Sequence, residues 1–287
     1  MDGAIKHSDI LTKLNDDMSE FSKGQKKIAS FIINSYDKAA FMTAAKLGDT
    51  VGVSESTVVR FAYELGFDGY PGLQEELSEF IKRKLTSVQR IEVSSDMLKG
   101  ENVWKNVMLK DMVNLKKAID DVDDVTFNLA VDKIVGAKKI YILGVRSSAA
   151  LASFLGFYFN LVFDNIRLVH TTSVSEMFEQ IIQVTPDDVV IGISFPRYSS
   201  RTVKAMQFAR DVGATVIAIT DNSDSPPAEA ASMALTARSG MASFVDSLVA
   251  PLSLINALIV AVGIKRKDHV SETFSRLEKI WEEYQVY

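Results

Sequence analysis

Four short apolar runs in the second half of the chain limit its fold more than any other feature. They are Lys139-Ile-Tyr-Ile-Leu-Gly144, Ile166–Val169, Val189-Val-Ile-Gly-Ile-Ser194 and Thr215–Thr220, with a shorter fifth at Met233–Thr236. Each has the length and the β-branched content of a strand buried on both faces. Segments of helical periodicity separate them, at 148–162, 174–182 and 201–211, the last ended by Gly213. Two further helices are expected at 241–262 and 270–284. Parallel strands need such crossovers, so from about residue 126 the pattern predicts an α/β three-layer, doubly wound parallel sheet of flavodoxin-like type.

The first 85 residues carry no strand signal. Ile10, Leu11, Leu14 and Met18 recur at helical spacing. Ser22 precedes the run Ile28, Ala29, Phe31, Ile32, and Gln25 completes a capping-box pattern with it. A short helix is expected at 37–41. Thr43 caps one expected at 44–51, and Ser54 caps another at 55–65 that Gly66 ends. Pro71 suits the first turn of a further helix reaching Lys84. The expected organisation is an all-α domain at 1–85, a linker and connecting helix at 86–125 (the helix at about 103–119), and an α/β domain at 126–287.

Composition narrows the function. The 287 residues carry a net charge of −5 and no cysteine. The absence of thiols removes disulfides, thiolate metal sites and cysteine nucleophiles, and suits a reducing compartment. The first ten residues carry Asp2, Lys6, His7 and Asp9 and lack the apolar core of a signal peptide. The longest apolar stretch, near 248–264, is interrupted by Pro251, Ser253 and Asn256 and reads as a buried helix rather than a membrane span. A cytoplasmic protein without membrane attachment, metal or cofactor is expected.

Within the helical half, Met42-Thr-Ala-Ala-Lys-Leu-Gly-Asp-Thr-Val-Gly-Val-Ser54-Glu-Ser-Thr-Val-Val-Arg60 places two short helices around a turn at Gly52-Val53-Ser54. Gly52 permits the turn. Ala45 and Leu47 are expected to face inward on the first helix, and Val58, Val59 and Ala62 on the second. A helix so placed lays its N-terminal turn in a major groove, where short polar side chains and an arginine meet base edges and phosphates. The candidate DNA contacts are Lys23, Lys27, Thr43, Ser54, Ser56, Thr57 and Arg60. An ordinary core helix pair gives the same periodicity. Charge does not separate the two readings, since residues 1–85 hold 11 Lys and Arg against 13 Asp and Glu. The basic residues do cluster, at Lys23, Lys26, Lys27 and at Lys82, Arg83, Lys84, and a solvated face also explains such clusters.

In an open α/β sheet, ligands sit beyond the carboxyl ends of the strands. Three loops lie there: Gly144-Val-Arg-Ser-Ser148, Thr171-Thr-Ser173 and Ser194-Phe-Pro-Arg-Tyr-Ser-Ser200. Helix N-termini rich in serine make anion sites, although the same serines also serve as plain caps.

Three segments resemble the N-terminal domain of the RpiR family of bacterial regulators. They are Phe21-Ser-Lys-Gly-Gln-Lys-Lys-Ile-Ala-Ser-Phe-Ile, Met42-Thr-Ala-Ala-Lys-Leu, and Val53-Ser-Glu-Ser-Thr-Val-Val-Arg-Phe-Ala-Tyr-Glu-Leu-Gly-Phe-Asp-Gly-Tyr. Residues 126–263 resemble a sugar-isomerase-type (SIS) domain in strand order and loop positions. The resemblance implies a helix-turn-helix regulator that binds an operator as a homodimer or homotetramer, with SIS domains supplying the contacts. It also implies an effector that is a phosphorylated sugar or sugar acid. SIS domains carry a G-x-G-S-S-like loop after the first strand and an S-x-S-G-x-T/S loop after the third. Gly144, Ser147 and Ser148 match the first, and Ser194 and Ser199 the second. The expected ligand set is Gly144, Arg146, Ser147, Ser148, Thr172, Ser173, Ser194, Arg197, Ser199 and Ser200.

Two positions depart from the family pattern. Arg146 stands where the first loop has glycine, and Pro196-Arg197 where the second has serine and glycine. In one reading the arginines point into the pocket and suit a more anionic ligand. In the other they reshape the loops and exclude ordinary phosphosugars. Two rival functions also remain: a phosphosugar isomerase, and a ligand-independent dimerisation module. Isomerisation needs a proton-transfer base. Of His7, His170 and His269, only His170 lies near a strand end, and Glu176 and Glu179 follow the second loop. The sequence therefore favours a sensor over an enzyme.

Overall fold

The computed structural model describes residues 10–84, 86, 88–91, 102–169, 171, 173–240 and 243–286; within 79–84 only the side chain of Phe80 is described. The chain divides into two compact units, residues 1–93 and 94–287.

The first unit is helical. Its elements are α1 (Ile10–Asp16), a 3-10 turn (Asp17–Ser19), α2 (Lys23–Asn34), α3 (Tyr36–Ala39), α4 (Ala44–Val51), α5 (Glu55–Glu64) and α6 (Gly69–Lys84). Ser22 starts α2 with the expected capping box: its hydroxyl accepts from the Gln25 amide at 3.5 Å, and its own amide donates to the Gln25 side chain at 2.6 Å. One apolar cluster holds the unit together, drawn from Leu14, Ile28, Ile32, Leu47, Val58, Phe61, Leu73 and Leu77 among others. Ala45 does not belong to it. The buried face of α4 is Ala44, Leu47 and Gly48, and Ala45, one residue round the helix, is exposed.

The second unit opens with α7 (Val103–Asp121) and α8 (Asp124–Val135), the latter unforeseen in the sequence. There follow β1 (Ile140–Gly144), α9 (Ser148–Phe159), β2 (Ile166–Val169), α10 (Val174–Ile181), β3 (Val189–Ile193), α11 (Ser200–Val212) and β4 (Thr215–Thr220). The unit ends with α12 (Pro226–Glu229), β5 (Met233–Thr236), α13 (Val249–Lys265) and α14 (Lys267–Glu283). The helix expected at 241–262 begins only at Val249. Residues 243–248 are a loop, and 241–242 lie outside the described residues. Pro251 explains the late start, because it fits the first turn of a helix but not its interior.

All five strands are parallel in the order β2-β1-β3-β4-β5. Strand residues alternate between two cores. Ile140, Ile142, Ile191, Ile193, Ile217 and Ile219 face α8, α9 and α13. Tyr141, Leu143, Val190, Val216 and Ala218 face α10 and α11. This is the expected three-layer arrangement, and the order reverses between β1 and β3. Among the described residues no single helix is long and apolar enough to cross a membrane.

Candidate functional site

The α4–α5 turn is built by glycine at two positions. Gly52 ends α4 in the left-handed region, φ 72°. Gly48 is the tighter one: a Cβ there would lie 2.8 Å from the Val53 carbonyl oxygen, so the two helices close only over a bare backbone. The sequence reading identified Gly52 and missed Gly48. Val53 packs on the helical core as a half-buried plug. Residues of α2 flank the turn, since a Cβ on Gly24 would meet Thr57 and Val53, and one on Gly52 would meet Nζ of Lys27. Lys27 therefore stands beside the turn, a proximity the sequence spacing does not reveal.

Ser54, Ser56 and Arg60 are exposed at the start of α5, and Thr57 is half-buried. The Ser54 hydroxyl lies 2.9 Å from that of Ser56 and 2.8 Å from that of Thr57, and accepts from the Thr57 amide at 3.3 Å. Arg60 Nε donates to the Ser56 carbonyl at 3.3 Å, which lays the guanidinium along the same face. Thr43 is exposed and caps α4, accepting from the Lys46 amide at 3.2 Å. Lys23 and Lys27 are exposed on the first turns of α2. Ser54, Ser56 and Arg60 thus lie on the outward side of the turn with Lys27 beside it, whereas Thr43 stands at the far end of α4 and Lys23 at the start of α2. The side chains of Lys82, Arg83 and Lys84 lie outside the described residues.

In the α/β unit a cleft of about 470 Å³ opens at the carboxyl ends of β1, β2 and β3, lined by Gly144, Val145, Arg146, Ala149, Thr171, Arg197, Tyr198, Ser199, Ser200 and Arg201. It lies over the strand-order reversal, where open α/β sheets bind ligands. The N-termini of α9 and α11 both meet it and favour an anion there.

Gly144 makes the sharp exit from β1 possible, because a Cβ would fall 2.7 Å from the Ser148 carbonyl oxygen. Ser148 is buried behind this turn, and Ser147 is exposed beside it; neither lines the cleft. Ser194 is buried beneath the third loop, where its hydroxyl accepts from the Ser199 amide at 3.2 Å. Ser199 caps α11, accepting from the Thr202 amide at 3.4 Å. From the second loop it is Thr171 that lines the cleft. Ser173 pairs with Ser175 at 3.0 Å instead, and Thr172 and His170 lie outside the described residues.

Arg146 and Arg197 share an unusual backbone. Their φ values are +57° and +68°, the left-handed region that glycine adopts freely and other residues avoid. Both loops therefore follow a backbone path that glycine takes without strain while carrying arginine. The Arg197 guanidinium pairs with Asp246 at 3.5 Å. Arg146 forms no ion pair among the described residues.

Tyr198 and Arg201 escaped the sequence reading, the first because nothing in its spacing marks it as inward-facing. Its hydroxyl donates to Asp221 at 2.7 Å. Asp221 also accepts from Thr220 at 3.2 Å and Asn222 at 2.9 Å. Burial raises the Asp221 carboxyl above the ordinary carboxylate range against these bonds. Among the described residues that line the cleft there is no histidine or carboxylate. Glu176 bonds to Thr171 outside the lining, and His269 sits on α14.

The fold and the two sites define a helix-turn-helix unit joined to a SIS-type α/β unit. Residues 8–84 match the model of the helix-turn-helix domain, rpiR family, and residues 133–261 that of the SIS domain. The chain belongs to the rpiR family of helix-turn-helix transcription regulators. It is 28% identical over 228 residues to the HTH-type transcriptional regulator HexR of Escherichia coli, covering 79% of this chain and 77% of the relative. An uncharacterized HTH-type transcriptional regulator of Clostridium perfringens is 26% identical over 223 residues, covering 76% and 77%. The sugar isomerase domain of an RpiR transcription factor from Sphaerobacter thermophilus superposes with TM-score 0.59 at 24% identity, over 62% of this chain and 99% of that one. Vibrio vulnificus NanR, solved in complex with ManNAc-6P, superposes with TM-score 0.55 at 19% identity, over 94% and 98%.

Proposed function

We propose that the α4–α5 turn binds operator DNA and that the α/β cleft binds a phosphorylated sugar or sugar acid that controls this binding. The observation that carries the reading is the division of labour. One unit exposes a serine- and arginine-bearing helix start, and the other holds a cleft rich in arginine and helix N-termini. NanR accommodates a phosphosugar on the same fold.

The helix-turn-helix unit carried on the same chain favours a sensor over an isomerase. Moving a proton between carbons needs a base in the cleft; among the described residues that line it none is a histidine or a carboxylate, and Glu176, Asp221 and Asp246 each bond to a lining residue from behind it. The protein acts as a sensor, in the cytoplasm where the chromosome lies. Two copies present two recognition helices to a (pseudo)palindromic site. The exposed apolar face of α7, with Trp104, Met108, Leu109, Met112 and Val113, is the surface expected to join them.

The test selects genomic fragments with the full-length protein and measures their gel shift with and without sugar phosphates. Arg60→Ala is expected to weaken binding by about 10-fold or more, since one arginine–base or arginine–phosphate contact contributes roughly 1–3 kcal/mol. Unchanged binding by Arg60→Ala would show that α5 does not enter the groove as described. Sugar turnover at enzyme-like rates would restore the isomerase.

A further inference from the structure

A phosphate site alone does not require the two arginines that line the cleft. A phosphoryl group is served by the α9 and α11 N-termini together with Ser199 and Ser200. Glycine at 146 and 197 would build the same loops without strain and would let a phosphate approach the backbone more closely. Instead, both positions carry a long cation on a left-handed backbone, and both line the same cleft. Each guanidinium therefore stands where its own main chain disfavours it, and the two positive charges share one opening with Arg201. Outliers of this kind persist where the site uses them.

We propose that the cleft selects effectors with two separate acidic groups, a phosphoryl ester at the helix N-termini and a second acid gripped by Arg146 and Arg197. The inference rests on the sugar-phosphate reading given above and narrows its ligand class. A guanidinium offers a planar fork matched to a carboxylate or a phosphoryl group, so a sugar-acid phosphate and a sugar bisphosphate present the same chemistry. The cleft volume of about 470 Å³ accommodates a phosphorylated six-carbon chain.

Asp246 fits this role as an internal stand-in. Its carboxylate holds Arg197 at 3.5 Å, with 14% of its side chain exposed. A second acid on the ligand competes with it for the same fork. The loop that carries Asp246 is closed by the Ser247 amide donating to the Gly240 carbonyl at 2.7 Å, and Gly240 packs directly against Asn114 of α7. Displacement of Asp246 thus acts on a loop seated on α7.

The experiment is calorimetric titration of the full-length protein with three probes: fructose 6-phosphate, 6-phosphogluconate and fructose 1,6-bisphosphate. At least one of the two-acid probes is expected to bind about 10- to 100-fold more tightly than fructose 6-phosphate, the ratio that one charge-assisted fork supplies. The two arms show whether the second acid is a carboxylate or a phosphoryl group. Arg146→Gly and Arg197→Gly keep the backbone path and are expected to bring that ratio towards one. Asp246→Asn is expected to tighten the two-acid probe by removing its competitor. Equal affinity for all three probes in the wild type overturns the inference and leaves the sugar-phosphate reading standing. Glycine variants that keep the ratio overturn the role of the arginines. Failure of every probe to bind overturns both readings together.

Discussion

Arg146 and Arg197 differ in what they would lose on becoming glycine, and the difference is measurable. A non-glycine residue in the left-handed region costs about 1–2 kcal/mol. Glycine returns part of that as extra freedom in the unfolded chain, roughly 0.5–1 kcal/mol. Arg146→Gly is therefore expected to stabilise the α/β unit by about 0.5–1 kcal/mol. Arg197→Gly also gives up the partly exposed pair with Asp246, a contribution of about 0–1 kcal/mol, so its net change is near zero. Both tryptophans, Trp104 and Trp281, lie in the second unit, so urea unfolding followed by their fluorescence reads that unit. Destabilisation by Arg146→Gly beyond about 1 kcal/mol would mean that the arginine is held there by packing rather than tolerated for binding.

A second residue-scale effect belongs to the helical unit. Tyr70 is buried, and its hydroxyl donates to the Met42 carbonyl at 2.8 Å and to that of Ala39 at 3.3 Å. Burial pushes its pKa up to about 12, from 10.0. The folded state holds the phenolic proton more tightly than the unfolded chain does. The resulting stability is fully present below pH 10 and is lost as pH rises through about 12. Wild type and Tyr70→Phe should therefore differ in unfolding free energy by a constant up to pH 10, with the gap narrowing above it. A gap that stays flat to pH 12 would show that the tyrosine ionises no later in the fold than outside it.

At the scale of elements, most boundaries followed from local chemistry. Ser22, Thr43, Ser54 and Ser199 accept an amide hydrogen bond at the starts of helices, and Gly52, Gly66 and Gly213 take up positive φ near their ends. Strands buried on both faces announced themselves as unbroken β-branched runs. The misses have common causes. α8 was hidden because Asp123 and Asp124 read as the end of a linker, whereas Asp123 caps the helix, accepting from the Thr126 amide at 2.7 Å. The 243–248 loop was drawn into α13 because Phe244 and Val245 are apolar, yet both side chains are more than half exposed. The cleft was legible in its loops and its arginines. Tyr198 and Thr171 were not, because periodicity does not say which side of a loop faces inward.

Gly48 is the clearest case of an element held by something no pattern displays. Its role depends on a carbonyl five residues away, and backbone cannot retreat as a flexible side chain does. Gly48→Ala is expected to cost about 1–3 kcal/mol by forcing α4 and α5 apart. The conservative swap at Gly66, where a Cβ meets nothing within 4 Å, carries only the cost of its φ of 88°. The two variants, compared by thermal unfolding, separate steric closure of the turn from backbone strain. Equal losses would show that the α4–α5 approach is not the limiting contact.

At the scale of the whole molecule, the exposed apolar face of α7 is the surface proposed to join two copies. Trp104, Met108 and Met112 recur every four residues, each at least 60% exposed, with Leu109 and Val113 alongside. A stripe of this size in water invites association, since each fully covered side chain contributes about 1.5–3 kcal/mol. Covering the stripe with a second copy also suits operator recognition, because one short helix reads only a few base pairs and two in fixed spacing read a palindrome. Met108→Asp with Met112→Asp places charges in the middle of the stripe without touching the α7 residue that is buried, Ala118. The doubly substituted protein is expected to elute as a monomer in light scattering at micromolar concentration. Its tryptophan-monitored unfolding should then lose the dependence on protein concentration expected of the wild type. It should also bind a single half-site as the wild type does at the same monomer concentration, while losing the preference for paired half-sites. A variant that remains a dimer would assign the contact to other exposed residues, such as Phe157 on α9 or Val260 and Ile264 on α13, and would leave α7 to face something other than a second copy of itself.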